Sequence, residues 1–172
     1  MTATAFPIAG FLLLSVAAAE AAPAQLYNKT VVFTWSESIV EKGEDGRTYN
    51  TQAARERFAY ISSAGRVFVR ATTRVPGGQG NYENAPGRSP PGTLAFQGNN
   101  TMVGTTAFSG FARRITVTFD ASFSSCNASV VYGRSGGPSK WKTPDGKRTL
   151  EMLSISVGSV SCSIRDGNAA AQ

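Results

Sequence analysis

The chain has no histidine. That removes the commonest general base and the commonest transition-metal ligand. A Ser-His-Asp triad and any His-bearing zinc site are excluded. Cysteine is scarce: Cys126 and Cys162 are the whole supply. Two distant cysteines make neither a Cys-only zinc site nor a C-x-x-C redox pair. There is no P-loop, and no dinucleotide fingerprint follows a strand. No cofactor and no metal are therefore expected. The longest apolar run, Phe6 to Ala19, has about 14 residues, short of the roughly 20 that span a bilayer.

That run ends in Ala21-Ala22-Pro23-Ala24 and is followed by polar, strand-like sequence. A short apolar core with an Ala-x-Ala exit reads as a secretory signal peptide at 1–24, cut after Ala24. Its positive n-region is reduced to the terminal amine, since residues 2–19 hold no Lys or Arg. Residues 25–172 suit one domain of a size that needs no metal to hold a core. The expected location is outside the cytoplasm of a bacterium, periplasmic or extracellular. There an even cysteine count predicts a Cys126–Cys162 disulfide. Three N-glycosylation patterns, at Asn28, Asn99 and Asn127, matter only in a eukaryotic secretory pathway, and the short Ala-rich leader is bacterial in type.

The chain carries 17 Lys and Arg against 11 Asp and Glu, a formal charge of +6. Loss of Glu20 with the leader raises it by one. Such a charge draws a protein to anionic glycan, lipid headgroups or other polyanions, although a basic balance also serves plain solubility. No specific nucleic-acid motif accompanies it.

The texture is β throughout. From Arg114 to Ser124, the side chains of Ile115, Val117, Phe119, Ala121 and Phe123 fall on one face and polar residues on the other. That is a strand with one packed and one wet face. Apolar parity switches near Ser124-Ser125 and again at Gly158, the mark of a turn or bulge. Each cysteine follows such a switch and faces the same side as its apolar neighbours. Further strands are predicted at 29–40, 58–62, 66–75, 93–97, 102–108 and 149–157, with Ser63-Ala64-Gly65 as a hairpin connection. Thr51 to Phe58 has a weak helical period. About eight short strands predict a single antiparallel β-sandwich or small β-barrel. A Pro/Gly-rich loop is expected at 76–92, a mobile segment or a binding loop. A second loop is expected at Gly133–Lys147, and a frayed tail at 167–172.

Ten carboxylates follow the leader, and a glycosidase would need two of them across a cleft. Asp45, Asp145 and Asp166 each precede a glycine, as turn residues do. Asp120 is assigned to the wet face of its strand. The acidic cluster Glu41–Gly46 lacks the ligand order of a calcium loop. No catalytic residue is assigned and no enzyme is expected. The binding candidates lie on the strand at 66–75, where Arg66, Phe68, Arg70 and Arg74 share one face. Guanidinium forks bind phosphate or carboxylate, and an aromatic ring stacks a sugar or base. A charged, solvated sheet face is the plain alternative. Lys140-Trp141-Lys142 offers a second choice, an exposed anchor or a Trp folded back onto the core.

Phe123-Ser-Ser-Cys-Asn-Ala-Ser-Val-Val-Tyr-Gly-Arg134, together with Ile155 to Gly167 around Ser161-Cys162-Ser163-Ile164, resembles uncharacterised small secreted proteins of soil alpha-proteobacteria. The resemblance covers the last third to half of the chain. It implies an exported β-domain with a cysteine pair, and no activity or site residue. Three functions follow as expectations. The first is a non-enzymatic binding module for an anionic or amphipathic partner at the cell envelope. The second is a lipocalin-like carrier of a small apolar ligand in a closed barrel. The third is a structural envelope protein with no soluble ligand.

Overall fold

Alternation sets the longest strands. In β1 (Lys29–Gly43) the side chains of Val31, Phe33, Trp35, Glu37, Ile39 and Glu41 are buried, while Ser36 and Lys42 are exposed. The structure is a computed structural model describing residues 21–74, 82–84, 94–108, 110–136, 139–142 and 146–171. Most of the leader expected at 1–24 lies outside these residues. Ala22, however, is buried in the core and the Pro23 carbonyl accepts from Leu26 N–H at 3.0 Å. A cut after Ala24 would remove both contacts.

The other strands are β2 (Thr48–Ile61), β3 (Val67–Arg74), β4 (Tyr82–Asn84), β5 (Ala95–Phe96), β6 (Thr101–Phe108), β7 (Phe111–Phe119), β8 (Cys126–Arg134), β9 (Lys140–Lys142) and β10 (Thr149–Asp166). Among the described residues they form two antiparallel sheets. One has six strands in the order β4-β3-β2-β1-β10-β9, and the other has four in the order β5-β6-β7-β8. This is the sandwich of the two expected all-β forms, and not a closed barrel. Cys126, at the start of β8, bonds Cys162 in β10 with Cα atoms 5.6 Å apart, so the bridge ties one sheet to the other.

Both parity switches have structural causes. At Gly158 the pairing shifts: Trp35 faces Val160, but Glu37 faces Val157. A Cβ on Gly158 would lie 2.2 Å from Ser36 Oγ, so a larger residue there would have to turn the exposed Ser36 hydroxyl aside. The switch before Cys126 is the β7–β8 turn. The β7 strand ends at Phe119, and Asp120 is not on a strand face as expected. Its carboxylate instead accepts from Ser124 and Ser125 N–H at 2.7 and 2.9 Å and from the Ser122 and Ser124 hydroxyls. These donors hold the Asp120 carboxyl far below the usual carboxylate range.

Four further expectations are corrected. Thr51 to Phe58 is not helical: it belongs to the single strand β2, whose long edges pair with β1 and β3. The Pro/Gly-rich segment 76–92 does pair in part, since Tyr82–Asn84 joins Ala71–Thr73; its remainder lies outside the described residues. The loop expected at 133–147 contains the end of β8 and all of β9. The tail is docked rather than frayed over Gly167–Ala171. Gly167 N–H donates to Asn28 O, Thr30 Oγ1 donates to Gly167 O, and Ala170 is buried.

The Cys126–Cys162 link closes a loop with a sequence separation of 36. Constraining such a loop in the unfolded chain stabilises by about 4 kcal/mol in the chain-entropy account. A Cys126→Ser/Cys162→Ser variant is expected to unfold at a correspondingly lower urea concentration. An unchanged midpoint would show that the two sheets hold together without the bridge.

Candidate functional site

Two apolar clusters fill the sandwich, and a polar layer separates them. The larger includes Leu26, Phe33, Ile61, Phe96, Met102 and Val117; the smaller is Ile39, Ala53, Phe111 and Met152. On β1, Glu37 stands between Trp35 of the first cluster and Ile39 of the second. On β2, Arg55 and Arg57 stand between Ala53 and Ala59. On β7, Arg113 stands between Phe111 and Ile115.

Glu37 is 1% exposed. Trp35 Nε1 donates to its Oε1 at 2.7 Å, Arg55 Nε to its Oε2 at 2.7 Å, and the Tyr132 hydroxyl also donates to Oε1. A carboxylate taken out of water needs such partners. The Arg57 and Arg113 guanidiniums lie 5.7 and 5.5 Å from the centre of the Trp35 ring, and Phe33 stacks on that ring at 6.1 Å. Burial, with neighbouring cations adding to it, pulls Arg57 down to about 9 and Arg113 to about 10, and Glu37 partly offsets this. The layer ties the two sheets together through the contacts of Trp35, Arg55 and Tyr132 with Glu37, and Trp35 and Arg55 also line a groove on the outer face of the six-stranded sheet.

Glu41, two turns of the pleat further along β1, repeats the device. It is buried and accepts from Trp141 Nε1 at 2.8 Å. Burial raises the Glu41 carboxyl above its ordinary value, against the Trp141 and Thr51 donors and the Arg148 charge. Trp141 is thus folded back onto the sandwich, while Lys140 and Lys142 are exposed. This segment pairs with Leu150 on β10. Strands β2, β1 and β10 separate it from β3, so the two groups of binding candidates do not form one site.

Two of the candidates on β3, Phe68 and Arg70, share the outer face. The hairpin at Ser62–Arg66 fixes their register: Ser62 N–H donates to Arg66 O, and Gly65 takes φ +72°, where Tyr27 packs against it. Tyr60 then faces Phe68, and Phe58 faces Arg70. Phe68 is 49% exposed and stacks on Tyr60 with centroids 6.4 Å apart. The Arg70 guanidinium lies 5.7 Å from the centre of the Phe58 ring, and Arg66 is exposed at the end of the hairpin. The Arg74 side chain lies outside the described residues. Phe68, Tyr60 and Arg70 line a groove of about 260 Å³ whose other wall is the docked tail, at Asn168, Ala170 and Ala171. Nothing in the tail's sequence signalled this wall. A second, more polar groove of about 350 Å³ lies on the same face, and its lining includes Trp35, Ser36, Arg55, Glu56, Thr72 and Ser159.

No group of three or more His, Cys, Asp or Glu side chains that would hold a metal ion occurs among the described residues, and no helix among them is long and apolar enough to cross a membrane. Comparison with known protein families, with characterised proteins and with solved structures finds no match to the chain.

Two outcomes test the interior. Glu37→Leu is expected to cost about 3–5 kcal/mol in urea unfolding, because three guanidiniums lose their shared carboxylate. A loss under about 1 kcal/mol would show that the carboxylate does not hold the layer. For Glu41 the native state binds the proton more tightly than the unfolded chain. The stability this group contributes is therefore full below the ordinary carboxylate range and declines as pH rises through the raised value. Wild type should lose ground to Glu41→Gln in melting temperature between about pH 4 and about pH 7. The opposite trend would show that the Trp141, Thr51 and Arg148 contacts outweigh burial.

Proposed function

We propose that the protein is an exported, non-enzymatic binding module that grips an anionic or amphipathic partner on the outer face of its six-stranded sheet. The observation that carries this reading is the half-exposed Phe68 stacked on Tyr60, with Arg70 in the same groove and Arg66 exposed in the hairpin that leads into β3. An exposed aromatic ring on a sheet face is a stacking platform, and guanidiniums beside it supply planar donors to phosphate, sulfate or carboxylate. The bonded cysteine pair fits an oxidising compartment. The sheets do not close and the space between them is packed, which supports a surface binder over the carrier of an internal ligand.

The test is retention on immobilised heparin. Wild type is expected to elute progressively earlier as salt rises, since exposed charges are screened over about 8–10 Å. An Arg66→Gln/Phe68→Ala/Arg70→Gln variant is expected to lose roughly tenfold or more in affinity, as one stacking contact alone is worth about 1–3 kcal/mol. Its unfolding midpoint should move little by comparison, because the replaced groups lie on the outer face. Equal retention of the two proteins would reject this face as the binding surface.

A further inference from the structure

The two grooves follow one another along the β2–β3 ladder, and the chemistry changes along this track. Three rows of the β2–β3 ladder define it: Tyr60 opposite Phe68, Phe58 opposite Arg70, and Glu56 opposite Thr72. Rows on one face of a strand pair are two residues, about 7 Å, apart. The first row is aromatic, the second carries the guanidinium, and the third leads into the hydroxyl-lined groove with Thr34 and Ser36. Two charged residues line that second groove: Arg55, whose guanidinium is paired with the buried Glu37 at 2.7 Å, and Glu56, which is half-buried and takes part in none of the ion pairs among the described residues.

This order discriminates among anions. A polymer with a charge on every unit, laid along the track, brings one charge to Arg70 and the next to Glu56. The second contact is repulsive. A polymer with its charges spaced by neutral, hydroxyl-bearing units brings an acid to Arg70 and hydroxyls to Glu56, Thr72, Thr34 and Ser36, where the carboxylate accepts them. Sugar rings supply such hydroxyls, and their apolar faces stack on rings such as Phe68 and Tyr60. A lipid surface fits less well. The large exposed apolar side chains among the described residues are Phe68 and Val131, on different sheets, and membrane insertion takes a broad apolar face.

Building on the outer-face reading above, we propose that the track binds an acidic polysaccharide in which charged and uncharged sugars alternate, and that Glu56 selects the uncharged one. The experiment is calorimetric titration of the full chain with four probes at equal charge concentration. They are hyaluronan oligosaccharide (alternating glucuronate and N-acetylglucosamine), heparin, linear polyphosphate and vesicles containing anionic phospholipid. Wild type is expected to bind hyaluronan more tightly than polyphosphate or the vesicles, and more tightly than heparin, which carries charge on every sugar. Glu56→Gln should raise polyphosphate affinity by about three- to tenfold, the size of one charge repulsion across about 7 Å near a protein surface once salt screens it. It should raise hyaluronan affinity much less. Thr72→Lys, which sets a cation opposite Glu56, should shift the ratio the same way and serves if Glu56→Gln does not fold. If wild type prefers heparin, polyphosphate or vesicles, or if neither variant moves the ratio, the alternating-polysaccharide inference is overturned and the outer-face binding site stands. If wild type binds none of the four probes, both readings fall.

Discussion

The carboxylate of Glu37 sits where two apolar sheets meet, and the rest of the sandwich is arranged around it. Its three donors come from three strands in two sheets: Trp35 on β1, Arg55 on β2 and Tyr132 on β8. A charge in that position is costly unless all its partners arrive together. Apolar contacts tolerate small slides, because one methyl group replaces another with little loss. A carboxylate with fixed donors does not. A one-residue slip of β1 would put Ser36 inside and Glu37 in water, and would leave Arg55, Arg57 and Arg113 as buried like charges. The ionic layer thus contributes less to net stability than to the choice of one strand alignment.

The strand β2 divides its work by parity. Its odd residues Ala53, Arg55, Arg57, Ala59 and Ile61 face the interior, where they complete the polar layer and both apolar clusters. Its even residues Glu56, Phe58 and Tyr60 face out and make half of the candidate track. The same alternation that buries one set therefore spaces the other, and the rigidity of the interior is passed to the surface. The groove's second wall, the docked tail, is held by Thr30, whose hydroxyl donates to Gly167 O and accepts from Ala169 N–H.

Much of this was legible in the sequence. The period of two over Ile115 to Phe119, the parity switch at Gly158, the Ser63-Ala64-Gly65 hairpin and the cysteine pairing all correspond to features of the fold, because each follows from local sterics or side-chain alternation. The outward placement of Phe68 and Arg70 followed from the same rule. The polar layer was not read, and the reason is physical. Apolar periodicity cannot register an inward arginine, so Arg55 and Arg57 made β2 look like a short helix. A signal was present on β1: Val31, Phe33, Trp35 and Ile39 share a parity, and Glu37 shares it too. The tail carries no pattern at all, and its docking depends on the buried hydroxyl of Thr30, a long-range contact that no local rule reveals. For Trp141, composition allowed either exposure or burial, and only the position of Glu41 across the sheet decides.

The pairing of the first long strand with the last has a kinetic consequence. β1 lies at the middle of the six-stranded sheet, with Lys29 opposite Asp166. When the amino-terminal half of the chain has been made, β1 can find β2 but not its other neighbour, and Glu37 has no Tyr132 to meet. Contacts of such wide sequence separation slow folding, because the loop must close before the contact repays it. The chain therefore stays open until its final residues arrive. On the exported reading proposed above, that delay would keep the chain open for passage through a narrow channel, with the fold and its Cys126–Cys162 bond completed on the far side.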